Sequence, residues 1–289
     1  MTASPPCPLR WPAEAVWEAA APLLPGFSVE VLPEIDSTNS ELMRRLKGAP
    51  GRPPQPEPLL LVAEQQSAGR GRLGRQWQSR RGDSLTFSLG LPLAPADWSG
   101  LSLAVGVAVA ESLEPAPLGA PRIRLKWPND LWLSTPDGER KLGGILIETA
   151  SWGGVRHAVI GVGLNVRPVA LPGADPAAAL PAVPPGCLQA LSAGLDAPAA
   201  LLAVAPALVR AVLAFEHSGF APFAARFAAR DALDGRAVQL SDGTQGTARG
   251  VGQGGALRVQ TASGPVEVTS AEVSVRPVPG APAAPEPPC

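Results

Sequence analysis

The segment whose residue types most clearly suggest chemistry is 64–77, which reads EQQSAGRGRLGRQW. Three glycines alternate there with Arg70, Arg72 and Arg75, directly after a predicted strand. Because glycine allows close backbone approach and arginine supplies forked donors, such a loop can surround an anion. The pattern predicts a cradle for a phosphate or carboxylate group. A flexible cationic loop, or a Gly-Arg segment that binds RNA, is the alternative that this pattern leaves open.

Two further segments place polar groups where strands end. KWPND at 126–130 ends a predicted strand in a proline-fixed turn that presents Asn129 and Asp130. Lys141 precedes a glycine pair and another buried strand, which predicts a flexible ammonium group at the mouth of a site with a backbone floor. Turn residues that bond only their own backbone, and a solvated lysine, are the plainer alternatives.

Glycines also interrupt a strand that otherwise reads as core. Gly161, Gly163 and Asn165 lie in GVGLN, where glycine marks the close approach of a ligand, a bulge or tight packing. Ser37, Thr38 and Asn39 fit helix-cap chemistry, which requires no function. His157 and His217 lie in no catalytic pattern and are assigned no role.

The elements that must position these residues follow from hydrophobic periodicity. Strands are predicted at 27–35, 59–66, 84–93, 122–127, 142–151 and 156–166, the last two joined by a Trp-Gly-Gly hairpin turn. Helices are predicted at 14–24, 101–113 and 222–229. A further helix is predicted to start at a capping box formed by Thr38 and Glu41, and another to start near Ala199 and to break at Pro206. In the strand at 122–127 the basic residues, Lys126 included, are expected on the solvated face. The hairpin signal indicates that the core sheet is at least partly antiparallel.

The pattern changes near Asp231. From Gly235 to Val275 short strands alternate with SDG, GQGG and ASG turns, which is typical of a small β-barrel. We therefore predict a catalytic domain at 1–231, a small β-domain at 232–277 and a disordered tail at 278–289. The proline- and alanine-rich stretch 167–187 is expected to be a mobile surface loop.

Composition limits the classes of function. The 289 residues carry a net charge of −1, with 45% hydrophobic and 17% charged residues, which is ordinary for a globular protein and does not favour nucleic acid or an anionic membrane as the main partner. Cys7, Cys187 and Cys289 are too far apart for a disulfide framework or a zinc site, and fit a cytoplasmic protein. No leader pattern is found, and the apolar run at 101–110 is too short to span a bilayer.

Taken in order, DSTN, EQQSAGRGRLGR, KWPNDLW, KLGGILIE and GVGLN resemble the motif series of biotin protein ligases. The resemblance extends from Ile35 to Pro277 and includes the DGRAVQL start of a C-terminal SH3-like barrel. It implies an α+β catalytic domain with a mixed, largely antiparallel sheet and flanking helices, related to the catalytic domains of class II aminoacyl-tRNA synthetases and lipoate ligases.

The resemblance also implies roles for individual residues. Lys141 and Arg72 are the implied catalytic residues, beside the reacting carboxylate and the α-phosphate. The implied biotin-binding residues are Ser37, Thr38, Asn39, Gln66, Arg70, Gly71, Arg72, Trp77, Lys141, Gly144 and Gly163. The implied ATP-binding residues are Arg75, Asn129, Asp130 and Asn165, and Mg²⁺ is expected to arrive with ATP, with no protein ligand assigned.

The implied reaction has two steps: biotin and ATP form biotinyl-5′-AMP, and a lysine of a biotin carboxyl carrier domain then attacks this adenylate. Regulatory members of the family carry a DNA-binding domain before DSTN, and the segment there is short, so we expect an enzyme without specific DNA or membrane binding. A homodimer stays open. The alternatives are a lipoate or other acyl-adenylate ligase of the same fold and a nucleic-acid-binding module that uses the Gly-Arg loop.

Overall fold

The computed structural model describes residues 9–48, 50–115, 117–169, 183–269 and 275–277. Its centre is a seven-stranded sheet of order β1-β2-β5-β9-β8-β7-β6. The strands are β1 Ser28–Ile35, β2 Leu59–Gln66, β5 Ser84–Pro92, β6 Ile123–Lys126, β7 Asp130–Thr135, β8 Gly138–Trp152 and β9 Val155–Asn165. Two short strands, β3 Gly69–Arg70 and β4 Gln76–Trp77, pair separately. Only β1 and β2 pair in parallel, so the predicted mixed, largely antiparallel sheet is confirmed.

The sheet is held by its apolar strands and its tight turns. Strand β5 is buried along its whole length except Pro92 and pairs with β2 on one side and β9 on the other. The β8–β9 hairpin closes through Gly153 and Gly154, which both take the positive φ that glycine adopts without strain. This is the predicted Trp-Gly-Gly turn.

Helices cover both faces of the sheet. They are α1 Ala13–Ala20, α2 Thr38–Lys47, α3 Leu101–Leu113, α4 Ala197–Ser218 and α5 Ala224–Ala228. Helix α2 packs Leu42 and Leu46 against Leu61 and Val159. Helices α3 and α4 belong to the larger hydrophobic core, which includes the opposite side of β2. The side of the sheet that faces α2 is the one that carries the candidate site.

The start of α2 corrects a prediction. The N-cap residue is Ser37, whose hydroxyl accepts from the amide of Ser40 at 3.4 Å, so no capping box forms between Thr38 and Glu41. Glu41 instead binds the guanidinium groups of Arg44 and Arg45. Thr38 is thereby free to turn its side chain towards the sheet.

Helix α4 corrects one more prediction. It runs unbroken through Pro206, since Pro206 is buried among the residues that pack on the core. In the described part of the chain it is also the one helix long and apolar enough to cross a membrane by length and composition, which the apolar run at 101–110 was not. Half of its most apolar stretch is buried inside the protein, and a core helix meets the same criterion.

The short C-terminal strands that the pattern predicted form a five-stranded antiparallel sheet, but no closed barrel is formed among the described residues. Its strands are β10 Ala237–Leu240, β11 Gln245–Val251, β12 Leu257–Thr261, β13 Gly264–Val268 and β14 Val275–Pro277, in the order β13-β12-β11-β10-β14. It contacts the catalytic sheet through the Trp127 indole, which donates to the carbonyl of Gly255 at 3.0 Å. Asp231 bridges to Leu125 of the edge strand β6. The predicted tail 278–289 and residues 170–182 of the predicted mobile loop lie outside the described residues.

Candidate active site

One pocket brings together all of the predicted site residues except Asn165. It lies between the N-terminus of α2, the segment 69–77, the β6–β7 turn and the middle of β8 and β9. Residues from five separate motifs therefore meet at one place. The pocket has two chemically different ends, one uncharged and one strongly cationic.

The uncharged end is a hydrogen-bond network at the start of α2. The amide and hydroxyl of Thr38 both lie within bonding distance of Gln66 Oε1, at 2.7 and 3.1 Å. Ser88, fully buried on β5, bonds Asn39 Oδ1 at 2.6 Å and Thr38 Oγ1 at 2.7 Å. Both amide protons of Asn39 are used, by the carbonyl of Leu146 and the carboxylate of Glu148. The orientation of each amide side chain is therefore fixed before any ligand is considered.

Glycines on β9 provide the room for these groups. A Cβ on Gly161 would lie 2.2 Å from Asn39 Oδ1, and a Cβ on Gly163 would lie 2.6 Å from Cε2 of Trp77. Trp77 can therefore lie flat against the strand, and its Nε1 is buried with no hydrogen-bond partner in the described structure. At both glycines the structure shows tight packing of the protein's own side chains, and the close approach of a ligand there stays a prediction.

The Gly-Arg segment forms a compact hairpin. Strand β3 pairs with β4, and the amide of Gly71 donates to the carbonyl of Arg75 at 2.7 Å. Leu73 at the tip has a φ of 55° and is 59% exposed, an uncommon conformation for a branched side chain. This ordered turn lines the pocket, which favours the anion-cradle prediction over a flexible cationic loop.

The cationic end surrounds one carboxylate. Lys141 Nζ lies 2.7 Å from Asp130 Oδ1, and Lys126 Nζ lies 3.8 Å from Asp130 Oδ2. Arg72 and Arg75 line the same end of the pocket. The end therefore carries a positive excess, which suits a polyanionic ligand.

The β6–β7 turn fixes the position of Asp130. The peptide bond between Trp127 and Pro128 is cis. The Asn129 side chain donates to the carbonyl of Ile145 at 2.7 Å, and the amide of Ile145 donates to the carbonyl of Asn129 at 2.9 Å. Asn129 thus ties the turn to β8, and Asp130 starts β7 facing Gly144 in the register.

Burial and mutual repulsion change the acidity of two cations. Burial lowers the pKa of Lys126 to about 8; Asp130 opposes this shift, and Lys141, Arg75 and Arg72 add to it. The pKa of Arg72 is also lowered, first by burial and then by Arg75, against the opposing charge of Asp130. Of these two cations, Lys126 is the one that loses its proton closer to neutral pH.

Two residues of the site were missed or misplaced by the sequence patterns. Lys126 was expected on a solvated face, yet it is only 8% exposed and lines the pocket. Glu148 carried no prediction, yet it bonds both Asn39 and Arg70. A clue was available for both, since Lys126 belongs to the same KWPND motif as Asp130 and Glu148 is the last residue of KLGGILIE.

Asn165 lies behind the pocket and does not line it. Its side-chain amide donates to the carbonyls of Lys141 at 3.3 Å and Gly186 at 3.0 Å. It therefore contacts the backbone of Lys141 and not the space a ligand would occupy. Within the described ranges no cluster of three or more His, Cys, Asp or Glu residues could hold a metal ion.

Fold and site together define an adenylate-forming protein ligase, and the chain belongs to the biotin/lipoate A/B protein ligase family. The family's model matches residues 31–165. The bifunctional ligase/repressor BirA of Escherichia coli is 38% identical over 250 residues, which cover 82% of this chain and 70% of that protein. The biotin--[acetyl-CoA-carboxylase] ligase of Paracoccus denitrificans is 32% identical and matches 84% of this chain and 98% of its own length. Among solved structures, the biotin protein ligase from Aquifex aeolicus in complex with biotin and ATP has a TM-score of 0.68 at 27% identity, over 86% of this chain and 99% of that chain.

Proposed function

We propose that this chain is a biotin protein ligase that uses ATP to convert biotin to biotinyl-5′-AMP and transfers biotin to a lysine of a biotin carboxyl carrier domain. The observation that carries the proposal is the two-ended pocket, with a neutral hydrogen-bonding end beside a cationic end. The ligase names of the relatives and the biotin and ATP complex of the Aquifex protein support the same activity.

The neutral end matches the ureido group of biotin, which offers two N–H donors and one carbonyl acceptor. Because both amide protons of Asn39 are already used, its side chain can only accept a hydrogen bond from the ligand, through Oδ1. Because Gln66 Oε1 is taken by Thr38, the Gln66 amide group faces the ligand as a donor. A ligand without these polar groups would leave buried donors and acceptors unmatched.

The cationic end matches the adenylation step. A carboxylate oxygen of biotin attacks the α-phosphorus of ATP, the bond from that phosphorus to the bridging oxygen breaks, and pyrophosphate leaves. Negative charge develops on the phosphoryl oxygens, where Lys141 and Arg72 stabilise it, and no protein nucleophile is required. In the second step the amine of the acceptor lysine attacks the acyl carbon and AMP leaves.

Mg²⁺ fits the same end through few protein contacts. Asp130 is the one carboxylate among the lining residues in the described part of the pocket, and its oxygens face Lys141 and Lys126. Mg²⁺ in nucleotide sites commonly takes one or two carboxylates together with phosphate oxygens and water. When bound, it would neutralise triphosphate charge, and Asp130 is the residue that would hold it.

The remaining assignments extend the same proposal. Residues 1–231 form the catalytic domain and 232–277 an SH3-like domain, supported by the five-stranded C-terminal sheet. The acceptor is the carrier domain of a carboxylase, and the reaction takes place in the cytoplasm. Homodimer formation stays open, and the absence of specific DNA and membrane binding stays a prediction, tested for DNA by a biotin-dependent gel shift at physiological salt.

The closest alternative is a lipoate or other acyl-adenylate ligase. The ordered polar groups around Asn39 and Gln66 favour biotin, since a simple acyl chain would not satisfy them. A nucleic-acid-binding module is disfavoured because Arg70 is paired with Glu148 and the Gly-Arg hairpin lines a pocket. We expect incubation with ATP and biotin to yield biotinyl-5′-AMP by mass spectrometry, and incubation with lipoate to yield little adenylate. Lipoyl-adenylate as the main product would overturn the proposal.

A further inference from the structure

We propose that Glu148 is a positioning residue, whose carboxylate joins the ligand-facing start of α2 to the Gly-Arg hairpin. This inference rests on the proposed function. Glu148 lies on β8 and carries no implied role from the motif resemblance. Its two oxygens are shared between Asn39, at the neutral end of the pocket, and Arg70, the first arginine of the hairpin.

The contact to Asn39 fixes what Asn39 can recognise. Glu148 Oε2 accepts from Asn39 Nδ2 at 2.9 Å, and the carbonyl of Leu146 accepts its other proton at 3.2 Å. Both acceptors act on the same amide nitrogen, so the carbonyl oxygen of Asn39 must point the other way, towards Ser88 and the pocket. Without the carboxylate, one of the two restraints on the amide is lost.

The contact to Arg70 fixes the hairpin. Arg70 bonds Glu148 through both terminal nitrogens, at 3.0 Å to Oε1 and 3.3 Å to Oε2, and its Nη1 also lies 3.3 Å from Ser40 Oγ. A forked arginine to carboxylate pair restrains orientation as well as distance. The pair joins residues 78 positions apart, so it fastens the base of the hairpin to the sheet.

These two contacts compete for one acceptor pair, and a glutamine cannot serve both. In Glu148→Gln one oxygen becomes an NH₂ group, which would face either Asn39 Nδ2 or an Arg70 nitrogen as donor against donor. Glu148→Asp shortens the side chain by one methylene and cannot span both partners. The two substitutions therefore weaken the same connection by different means.

Glu139 provides a matched control on the same strand. Its carboxylate accepts from Arg236 at 2.7 Å, its side chain is 30% exposed against 23% for Glu148, and it lies outside the pocket. Glu139→Gln removes an ion pair of similar type and exposure without touching Asn39 or Arg70. A difference between the two variants can therefore be attributed to where the ion pair lies and not to the loss of an ion pair as such.

The experiment measures the full-length chain in two ways. Hydrogen exchange of residues 69–77, recorded by mass spectrometry, is expected to be faster in Glu148→Gln and Glu148→Asp than in wild type and Glu139→Gln. The KM for biotin in adenylate formation is expected to rise about tenfold in Glu148→Gln, with kcat much less affected, since an ionic hydrogen bond of this kind is worth roughly one order of magnitude. In an Asn39→Ala, Arg70→Ala background, Glu148→Gln should add no further change, because its partners are gone.

Exchange or KM at the Glu139→Gln level would overturn the proposal, as would a full Glu148→Gln effect in the Asn39→Ala, Arg70→Ala background. If Glu148→Gln fails to fold, Arg70→Gln removes the same ion pair from the other side. Residues 69–77 should then exchange faster in Arg70→Gln than in wild type. If wild type makes no biotinyl-5′-AMP, the proposed function fails. The exchange measurement then still decides whether Glu148 holds the hairpin.

Discussion

The two ends of the pocket are built on opposite physical grounds. At the neutral end, Thr38, Asn39, Gln66 and the buried Ser88 satisfy one another's hydrogen bonds, which leaves a defined set of donors and acceptors for a ligand. At the cationic end, Lys126 and Lys141 lie beside Asp130 and two arginines line the same pocket, so basic side chains outnumber the one acidic side chain among its described lining residues. Hydrogen bonds between neutral groups select a ligand by the direction of its donors and acceptors, whereas excess positive charge stabilises any negative charge that develops in the reaction. The neutral end should therefore control affinity for biotin and the cationic end the rate of chemistry.

The largest expected effect tests the cationic end. Lys141→Ala should slow adenylate formation by about 10²- to 10³-fold at saturating biotin and ATP, because a preorganised ammonium beside Asp130 is lost. Affinity for biotin should change little. Pyrophosphate release by rapid mixing measures the first quantity and calorimetry the second.

Lys47→Ala is the control, since the chain has three lysines, at 47, 126 and 141, and Lys47 lies exposed at the end of α2. A normal rate in Lys141→Ala, or a rate lost only through weaker biotin binding, would remove the proposed division between the two ends.

The next effect concerns retention of the product of the first step. Arg72→Gly should let biotinyl-5′-AMP escape about one to two orders of magnitude faster, because a charge-assisted contact is lost and the Gly-rich hairpin gains freedom. Bystander proteins should become labelled, and Lys47, the one exposed lysine outside the pocket, should be the chain's own labelled lysine.

Streptavidin blotting of an added lysine-rich protein, with peptide mapping of the enzyme, makes the measurement. Arg249→Gly, an exposed arginine of β11, is the control. Confirmed adenylate synthesis without bystander labelling would assign Arg72 to something other than retention.

The neutral end is tested by Gly163→Ala. The new Cβ would lie 2.6 Å from Cε2 of Trp77, so the indole must move into the space proposed for biotin. We expect the KM for biotin to rise about tenfold, equivalent to roughly 1.4 kcal/mol, with kcat little changed. Gly194→Ala, where a Cβ meets nothing within 4 Å, should leave both constants at their wild-type values. A fall in kcat alone would place Gly163 in the chemical step.

The smallest effect is the pH dependence of the cationic end. Because burial lowers the pKa of Lys126 to about 8, its ammonium is charged at neutral pH and loses its proton as the pH rises through 8. Adenylate formation should therefore fall a few-fold across that range, and Lys126→Arg should move the fall to higher pH. A rate profile that is the same in both enzymes would exclude Lys126 as its cause.

Lys126 also has a consequence for stability with the opposite sign. Its pKa is lowered from 10.5 on folding, so between about 8 and 10.5 the unfolded chain binds a proton that the folded chain does not. This group therefore makes the protein more stable as the pH rises through that window. Lys126→Met should be more stable than wild type at pH 7, with the gain shrinking towards pH 10.5, as denaturant unfolding would show.

Local patterns were sufficient where one residue or its neighbours decide the outcome. The helix at 101–113 and the β8–β9 hairpin follow from apolar spacing and from glycines that accept positive φ. Local patterns failed at the start of α2, where Ser37 and Thr38 are equally able to cap the helix. They also failed at Pro206, which is buried in the core within an unbroken helix. In both places the packing of the helix on the sheet chose between locally similar options.

The sequence by itself determined which motifs meet at the site, because fourteen of the fifteen residues that the motif resemblance implied line the pocket, all but Asn165. Only the tertiary structure decided what surrounds each of them. Glu148 meets Asn39 from 109 positions away, and no local pattern predicts a partner at that distance. By the alternation along its strand Lys126 is a solvated residue, but in the fold it is only 8% exposed and lines the pocket beside Asp130. Burial and pairing are properties of the opposing surface, and that surface exists only when the sheet, α2 and the hairpin come together.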